Sequence, residues 1–138
     1  MLELDYAFLA DYASIQGGLL TTVGASFTRM EAQALPIHAS FAVAGRIRCD
    51  EAEREWVKLT IRFISPGEDP TVVEASNQID VSTTTHLPYS GHRRGIVFAL
   101  QMTLPLIELG IYTVEVDIDE TEGVDRTLKF EVIPAPVT

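Results

Sequence analysis

Residues 57–63 read VKLTIRF. Val57, Leu59, Ile61 and Phe63 recur at every second position, and Lys58, Thr60 and Arg62 fill the places between them. A strand turns successive side chains to opposite faces, so this period of two predicts a strand with one face in a core and one toward water. The pattern repeats along the chain. Ile37, Ala39, Phe41, Val43 and Ile47 alternate with His38, Ser40, Arg46 and Arg48. Tyr112, Val114, Val116 and Ile118 alternate with Thr113, Glu115, Asp117 and Asp119, and Leu128, Phe130 and Val132 with Lys129 and Glu131.

Turn chemistry separates these runs. Gly17-Gly18 joins residues 3–15 to 19–30 as a hairpin. CDEAERE (49–55) is a longer connection, SPGEDP (65–70) stops the strand that begins near residue 55, and ETEGVD (120–125) closes the last hairpin. TVVEASNQIDVS (71–82) is a weaker strand and GIVFALQMTL (95–104) a stronger one. PLIELG (105–110) and RMEAQA (29–34) are each read as at most one helical turn. Pro36, Pro66, Pro70, Pro88 and Pro105 are read as bounding strands. The expectation is one all-β domain over 1–138, with about eight strands in two antiparallel sheets packed face to face as a β-sandwich. A closed β-barrel is the alternative, because alternation does not separate the two.

The chain has 138 residues, 46% of them hydrophobic, and carries twenty acidic against ten basic residues for a formal charge of −10. Such a composition supports a core. The charge argues against a nucleic-acid or anionic-membrane partner. The N-terminus carries Glu3, Asp5 and Asp11 and no base, unlike a secretory signal. Cys49 is the single cysteine, which excludes an intrachain disulfide. A cytoplasmic location is the expectation.

Two stretches carry resemblances. Leu109-Gly110-Ile111-Tyr112, within LPLIELGIYTVEVDIDETEGVDRTLKFEVIP, resembles the last hairpin of immunoglobulin-like domains, which implies an immunoglobulin-like sandwich and a Tyr112 hydroxyl that caps the preceding turn. YAFLADYASIQGGLLTTVGASFTRM, through Phe8, Leu9, Ala10, Asp11, Gly18, Leu20, Val23 and Gly24, is similar to the opening of a family of small bacterial proteins of unknown function. That resemblance implies no activity and no site residues.

Each catalytic pattern fails on its own terms. A calcium loop opening at Asp117 needs Gly at its sixth position and Glu at its twelfth, where this chain has Glu122 and Leu128. The acids from Asp117 to Asp125 are read as a solvated edge. His38, His86 and His92 have no metal-ligand spacing and Cys49 falls in phase with the core, so no metal and no cofactor are expected. Ser90 and His92 are too close in sequence for a nucleophile–base pair with sound geometry, and no Gly-x-Ser-x-Gly elbow occurs. If 37–48 pairs with 55–65, Arg46, Arg48, Lys58 and Arg62 share one outer face, expected to be neutralised by acids such as Glu74 and Asp80.

HLPYSGHRRGIVFAL (86–100) holds the best binding candidates: Tyr89, His92, Arg93 and Arg94, between glycines able to present guanidinium groups to an anion. Read without a ligand, the same stretch is a polar connection entering a strand at Arg94. Trp56 joins the candidates, because it falls out of phase with Val57 and so faces outward. The reading is a non-enzymatic protein-interaction or assembly module of a bacterial cytoplasm, with a protein partner and self-association left open. The alternatives are a small-ligand or carbohydrate module using loop 86–94, and an enzyme whose residues converge only in the fold.

Overall fold

A computed structural model describes residues 2–49, 55–82 and 94–136. Its described residues hold ten strands rather than eight: β1 (Leu2–Ala10), β2 (Tyr12–Gln16), β3 (Leu19–Val23), β4 (Arg29–Ala32), β5 (Ile37–Cys49), β6 (Trp56–Ile64), β7 (Val72–Asp80), β8 (Arg94–Leu106), β9 (Gly110–Ile118) and β10 (Arg126–Pro134). They form a three-stranded sheet in the order β1-β5-β8, a five-stranded sheet in the order β4-β10-β9-β6-β7, and the two-stranded β2-β3 hairpin. No helix among the described residues is long and apolar enough to cross a membrane.

The alternation of 57–63 is realised except at Thr60, which is buried on the outer face with its hydroxyl bonded to Ser76 and Asp119. Val57, Leu59, Ile61 and Phe63 are buried, and they share one core with Phe41, Val43 and Ile47 of β5, Tyr112, Val114, Val116 and Ile118 of β9, and Phe130 and Val132 of β10. Phe41 lies at its aromatic centre, with ring centroids 5.6 Å from both Phe63 and Phe130. Cys49 is buried in the same core.

Several expectations are corrected. Residues 3–15 are two strands, because the chain bends at Asp11 and carries β2 and β3 over the outer side of the three-stranded sheet. Ala13 there packs on Ala42 and Ala44 of β5, with Phe8, Leu20 and Ala99 around them. Small side chains on both surfaces let the layers approach, so residues 41–45 are buried on both faces. Gly45 answers a different close approach, within the sheet, since a Cβ there would lie 2.2 Å from the Tyr6 carbonyl oxygen of β1. Gly17 and Gly18 do form the tight turn, both at positive φ, between β2 and β3. Residues 19–30 also divide. RMEAQA is not a helical turn: Arg29–Ala32 is a strand that runs parallel to β10, so the sheets are not wholly antiparallel. PLIELG is not helical either, for β8 runs through Leu106 and β9 starts at Gly110. Pro105 lies inside β8 opposite His38 rather than bounding it. An edge strand tolerates this because the missing N–H can face away from the ladder.

β5 does not pair with β6. β5 lies between β1 and β8, and β6 between β7 and β9, so the four outward bases divide between two sheets. Alternation fixes facing but not pairing, which is why the sequence left this conditional. Arg46 and Arg48 converge on Asp5, which a β-bulge in β1 leaves without a cross-strand partner. The bulge also turns Tyr6 under the Arg46 guanidinium, 5.3 Å from its ring centroid. On the other sheet Arg62 meets Glu74 at 3.1 Å, Asp117 at 3.4 Å and Glu115 at 3.8 Å, and Lys58 meets Asp119 at 3.4 Å.

Candidate functional site

The strand orders leave one side unpaired, among the described residues, on β1 and β8 of the three-stranded sheet, on β4 and β7 of the five-stranded sheet and on both strands of the hairpin. The closed barrel is therefore not formed by the described strands. β8 pairs with β5 along its whole length, Arg94 opposite Cys49 through Leu106 opposite Ile37. In an antiparallel strand the backbone groups of alternate residues point to opposite sides. Pro105 occupies the phase that points away from β5. Thr103, Gln101, Ala99 and Val97 share that phase and direct N–H and C=O groups to the outer side. From Gly95 to Leu106 no residue is charged. Edge strands are ordinarily blunted by charge, and β8 has only Pro105 and Gly95 to do so.

Two recesses lie between the β7 and β8 edges. The first, of 370 Å³, is lined by Gln78, Ile79 and Asp80 of β7 and residues 97–100 of β8, and the hairpin tip covers it with Ile15 and Gly18. The second, of 50 Å³, lies at the other end of both strands, among Phe63, Val73, Leu104, Pro105, Ile107 and Tyr112, with Ser65 and Thr71 at its margin. Six or seven residues separate the two along either strand, roughly 20 Å at the rise of an extended chain. The groove formed by β7 and β8 thus has a recess toward each end.

The walls of the second socket are held by one side chain. Tyr112 is buried and stacked on Phe130 with centroids 5.3 Å apart. Its hydroxyl donates to the Glu108 carbonyl at 2.9 Å and accepts from the amides of Ile107 and Glu108 at 3.2 and 3.3 Å. This is the turn cap expected from Leu109-Gly110-Ile111-Tyr112. Gly110, at φ 127°, brings the turn against Pro66, where a Cβ would lie 3.1 Å from the proline ring.

A family model matches residues 5–131, including the opening stretch on which the resemblance rested and most of the last hairpin. The chain belongs to the family of unknown function DUF6941. None of the curated proteins matches it. In this DUF6941 chain the candidate site is defined by the strand edges and the two recesses.

Of the residues singled out from sequence, Tyr89, His92 and Arg93 lie outside the described residues, as do His86 and Ser90. Arg94 opens β8, as the strand-entry reading expected. Its guanidinium donates to the Val81 carbonyl and approaches Cys49 Sγ at 3.6 Å, so it joins the end of β7 to the start of β8. Trp56 is 53% exposed on the outer face, opposite Asp80. It stands outside both recesses. The acids of the last hairpin build its turn: Asp125 Oδ2 accepts from the Ile118 amide at 2.6 Å and from Thr121 Oγ1 at 2.7 Å. Asp119 accepts from Thr60 Oγ1 at 2.8 Å. No cluster of metal-ligating side chains occurs among the described residues. Sequence reading missed the groove because it depends on which strands end a sheet. The one available signal was the charge-free run from Gly95 to Leu106.

Proposed function

We propose that the chain is an immunoglobulin-like β-sandwich that works without catalysis as a protein-interaction or assembly module of a bacterial cytoplasm. The observation that carries this reading is the β8 edge, thirteen residues long, charge-free after Arg94 and unpaired on its outer side among the described residues. Such an edge offers a row of backbone donors and acceptors, and a partner strand that adds to it gains affinity from main-chain bonds and specificity from side-chain sockets. The Tyr112 cap and the shared core of two sheets support the immunoglobulin-like part of the reading. The acidic surface supports a protein partner over a nucleic acid or an anionic membrane.

The test is affinity capture from a native lysate with the wild-type chain and Thr103→Pro in parallel. Thr103 is exposed and its N–H belongs to the outward phase, so proline there removes an edge donor and leaves the β5 ladder intact. A stoichiometric protein partner lost in the folded Thr103→Pro variant is expected. Capture that is indifferent to the substitution would overturn the role of the edge.

The 370 Å³ recess favours a second reading, a small-ligand or carbohydrate module. Its size falls in the range of ligand pockets, and Ile15, Phe98 and Leu100 give it apolar walls with Gln78 and Asp80 as polar handles. Native mass spectrometry of the chain purified from its source discriminates: a retained metabolite with no protein partner favours this reading over the first.

A further inference from the structure

The socket closed by Tyr112 has surroundings unlike the rest of the groove. Val72, Val73, Ile107, Leu109 and Ile111 are all exposed large hydrophobics near this end of the fold. Three carboxylates accompany them. Glu68 and Asp69 lie on the turn after β6, and Glu108 on the turn before β9. The two turns meet: a Cβ on Gly67 would lie 3.9 Å from Glu108 Oε1. Residues 63–73 and 104–112 contain no lysine, arginine or histidine. Among the described residues none of the three carboxylates forms an ion pair, while Glu74, Glu115, Asp117 and Asp119 on the neighbouring sheet surface are all paired with Arg62 or Lys58.

We infer that this end of the β7–β8 groove docks an extended segment of a partner protein, flanked by lysine or arginine, with one branched aliphatic side chain seated in the 50 Å³ socket. The inference rests on the interaction-module reading and adds the chemistry of the partner. Three features select that occupant. The unpaired outer side of β8 offers a row of backbone groups that an extended peptide satisfies and a compact ligand does not. A small socket walled by Phe63, Val73, Leu104, Ile107 and Tyr112 takes an apolar anchor of a few carbons. A rim with three carboxylates and no base attracts cations and repels acidic chains, nucleic acid and anionic lipid. A second copy of this chain would bring the same carboxylates to its own edge and is disfavoured on that ground.

The probe is the peptide acetyl-Lys-Lys-Val-Thr-Leu-Thr-Val-Lys-Lys-amide, titrated into the isotope-labelled full chain and followed by amide chemical shifts. Shifts at residues 65–73 and 103–110 are expected. Replacing the central Leu by Asp, replacing the lysines by Glu, or methylating alternate backbone nitrogens should each weaken binding at least tenfold. Ile107→Asp, on an exposed wall residue, should do the same in a chain whose spectrum remains folded. Glu68→Lys with Glu108→Lys should reverse the preference between the Lys and Glu peptides. Shifts mapping elsewhere, equal binding of the Glu peptide, or a dimer that occupies this end in the absence of peptide would overturn the inference. A photo-crosslinker at Leu109, used in native lysate, separates this failure from that of the broader reading. A crosslinked partner segment without bases sinks only the chemistry proposed here. Absence of any stoichiometric protein partner, from this position and from position 97, sinks both.

Discussion

The Tyr112 hydroxyl donates to the Glu108 carbonyl at 2.9 Å across a turn of four residues and accepts the Ile107 and Glu108 amides in return. One phenol thus satisfies three backbone groups that no strand ladder reaches, and it fixes the segment that walls the smaller socket. Tyr112→Phe keeps the stacking on Phe130 and removes only these bonds. We expect a loss of about 1–3 kcal/mol in denaturant unfolding, the cost of leaving partly buried backbone groups unpaired. Hydrogen exchange at Ile107 and Glu108 should rise more than exchange in β9. An unchanged exchange rate at those amides would show that the hydroxyl does not hold the turn.

Phe130 is buried against Phe41 and Tyr112, and Phe63 against Phe41. Truncation of either to Ala should cost about 3–5 kcal/mol. The two should differ in one respect. Phe63 also walls the smaller socket, so its removal enlarges a recess that water can reach, whereas Phe130→Ala leaves an enclosed void. Losses below about 1 kcal/mol at both positions would contradict the shared core.

These residues also mark what the sequence made legible. β6, β9 and β10 were readable because each has one buried and one watery face, so period two survives in the residue types. β2 and β3 were not, because the hairpin covers the three-stranded sheet from outside and Ala42 and Ala44 then look like ordinary small residues on an outer face. β4 was lost for a different reason: four residues are too few to show a period, and Arg29–Ala32 is a strand only because β10 supplies a parallel edge. The groove was unreadable because sheet edges are a property of pairing. Arg46 and Lys58 look equivalent in sequence and belong to different sheets.

Two carboxylates should respond to pH with opposite sign. The Arg46 hydrogen bond, against the opposing effect of burial, holds Asp5 below the usual carboxylate range, with Arg48 adding to it. Its contribution to stability is present above the unfolded-state value and is lost as pH falls through the lowered native value. Asp117 is shifted the other way: burial raises it, Arg62 only partly offsets that, and Asp125 and Asp119 add to the rise. Its Oδ1 is buried with no hydrogen-bond partner among the described residues. The native state therefore takes up a proton at Asp117 before the unfolded chain does, and stability rises relative to an uncharged reference as pH falls through that window. In thermal melts from pH 7 toward pH 3, the advantage of wild type over Asp5→Asn should shrink, and its standing relative to Asp117→Asn should improve. Parallel slopes for the two variants would contradict this assignment.

Calcium should leave the melting temperature unchanged at low-millimolar concentration, as magnesium should. Asp125 already accepts two hydrogen bonds that shape the β9–β10 turn, and Asp119 is engaged by Thr60 and Lys58. A ligand that binds only the native state raises the melting temperature once it exceeds its dissociation constant. A saturable rise with calcium alone would mean that these oxygens reorganise into a site.

Arg94 separates a structural from a binding role for the stretch HRRG. Its guanidinium reaches the Val81 carbonyl and the Cys49 sulfur, at the β8 entry and away from the end of the groove at residues 104–112. Arg94→Gln should therefore act on stability. A hydrogen bond from a charged donor to a partly buried carbonyl contributes roughly 1.5–3 kcal/mol, against less than about 1 kcal/mol for an exposed charge. Arg94→Lys should recover little, since an ammonium cannot reproduce the planar fork that spans Val81 and Cys49. Binding of a partner by the folded variant should be unaffected, while Thr103→Pro abolishes it. A stable Arg94→Gln chain that loses its partner would invert the assignment and make the entry to β8, rather than its outer edge, the contact.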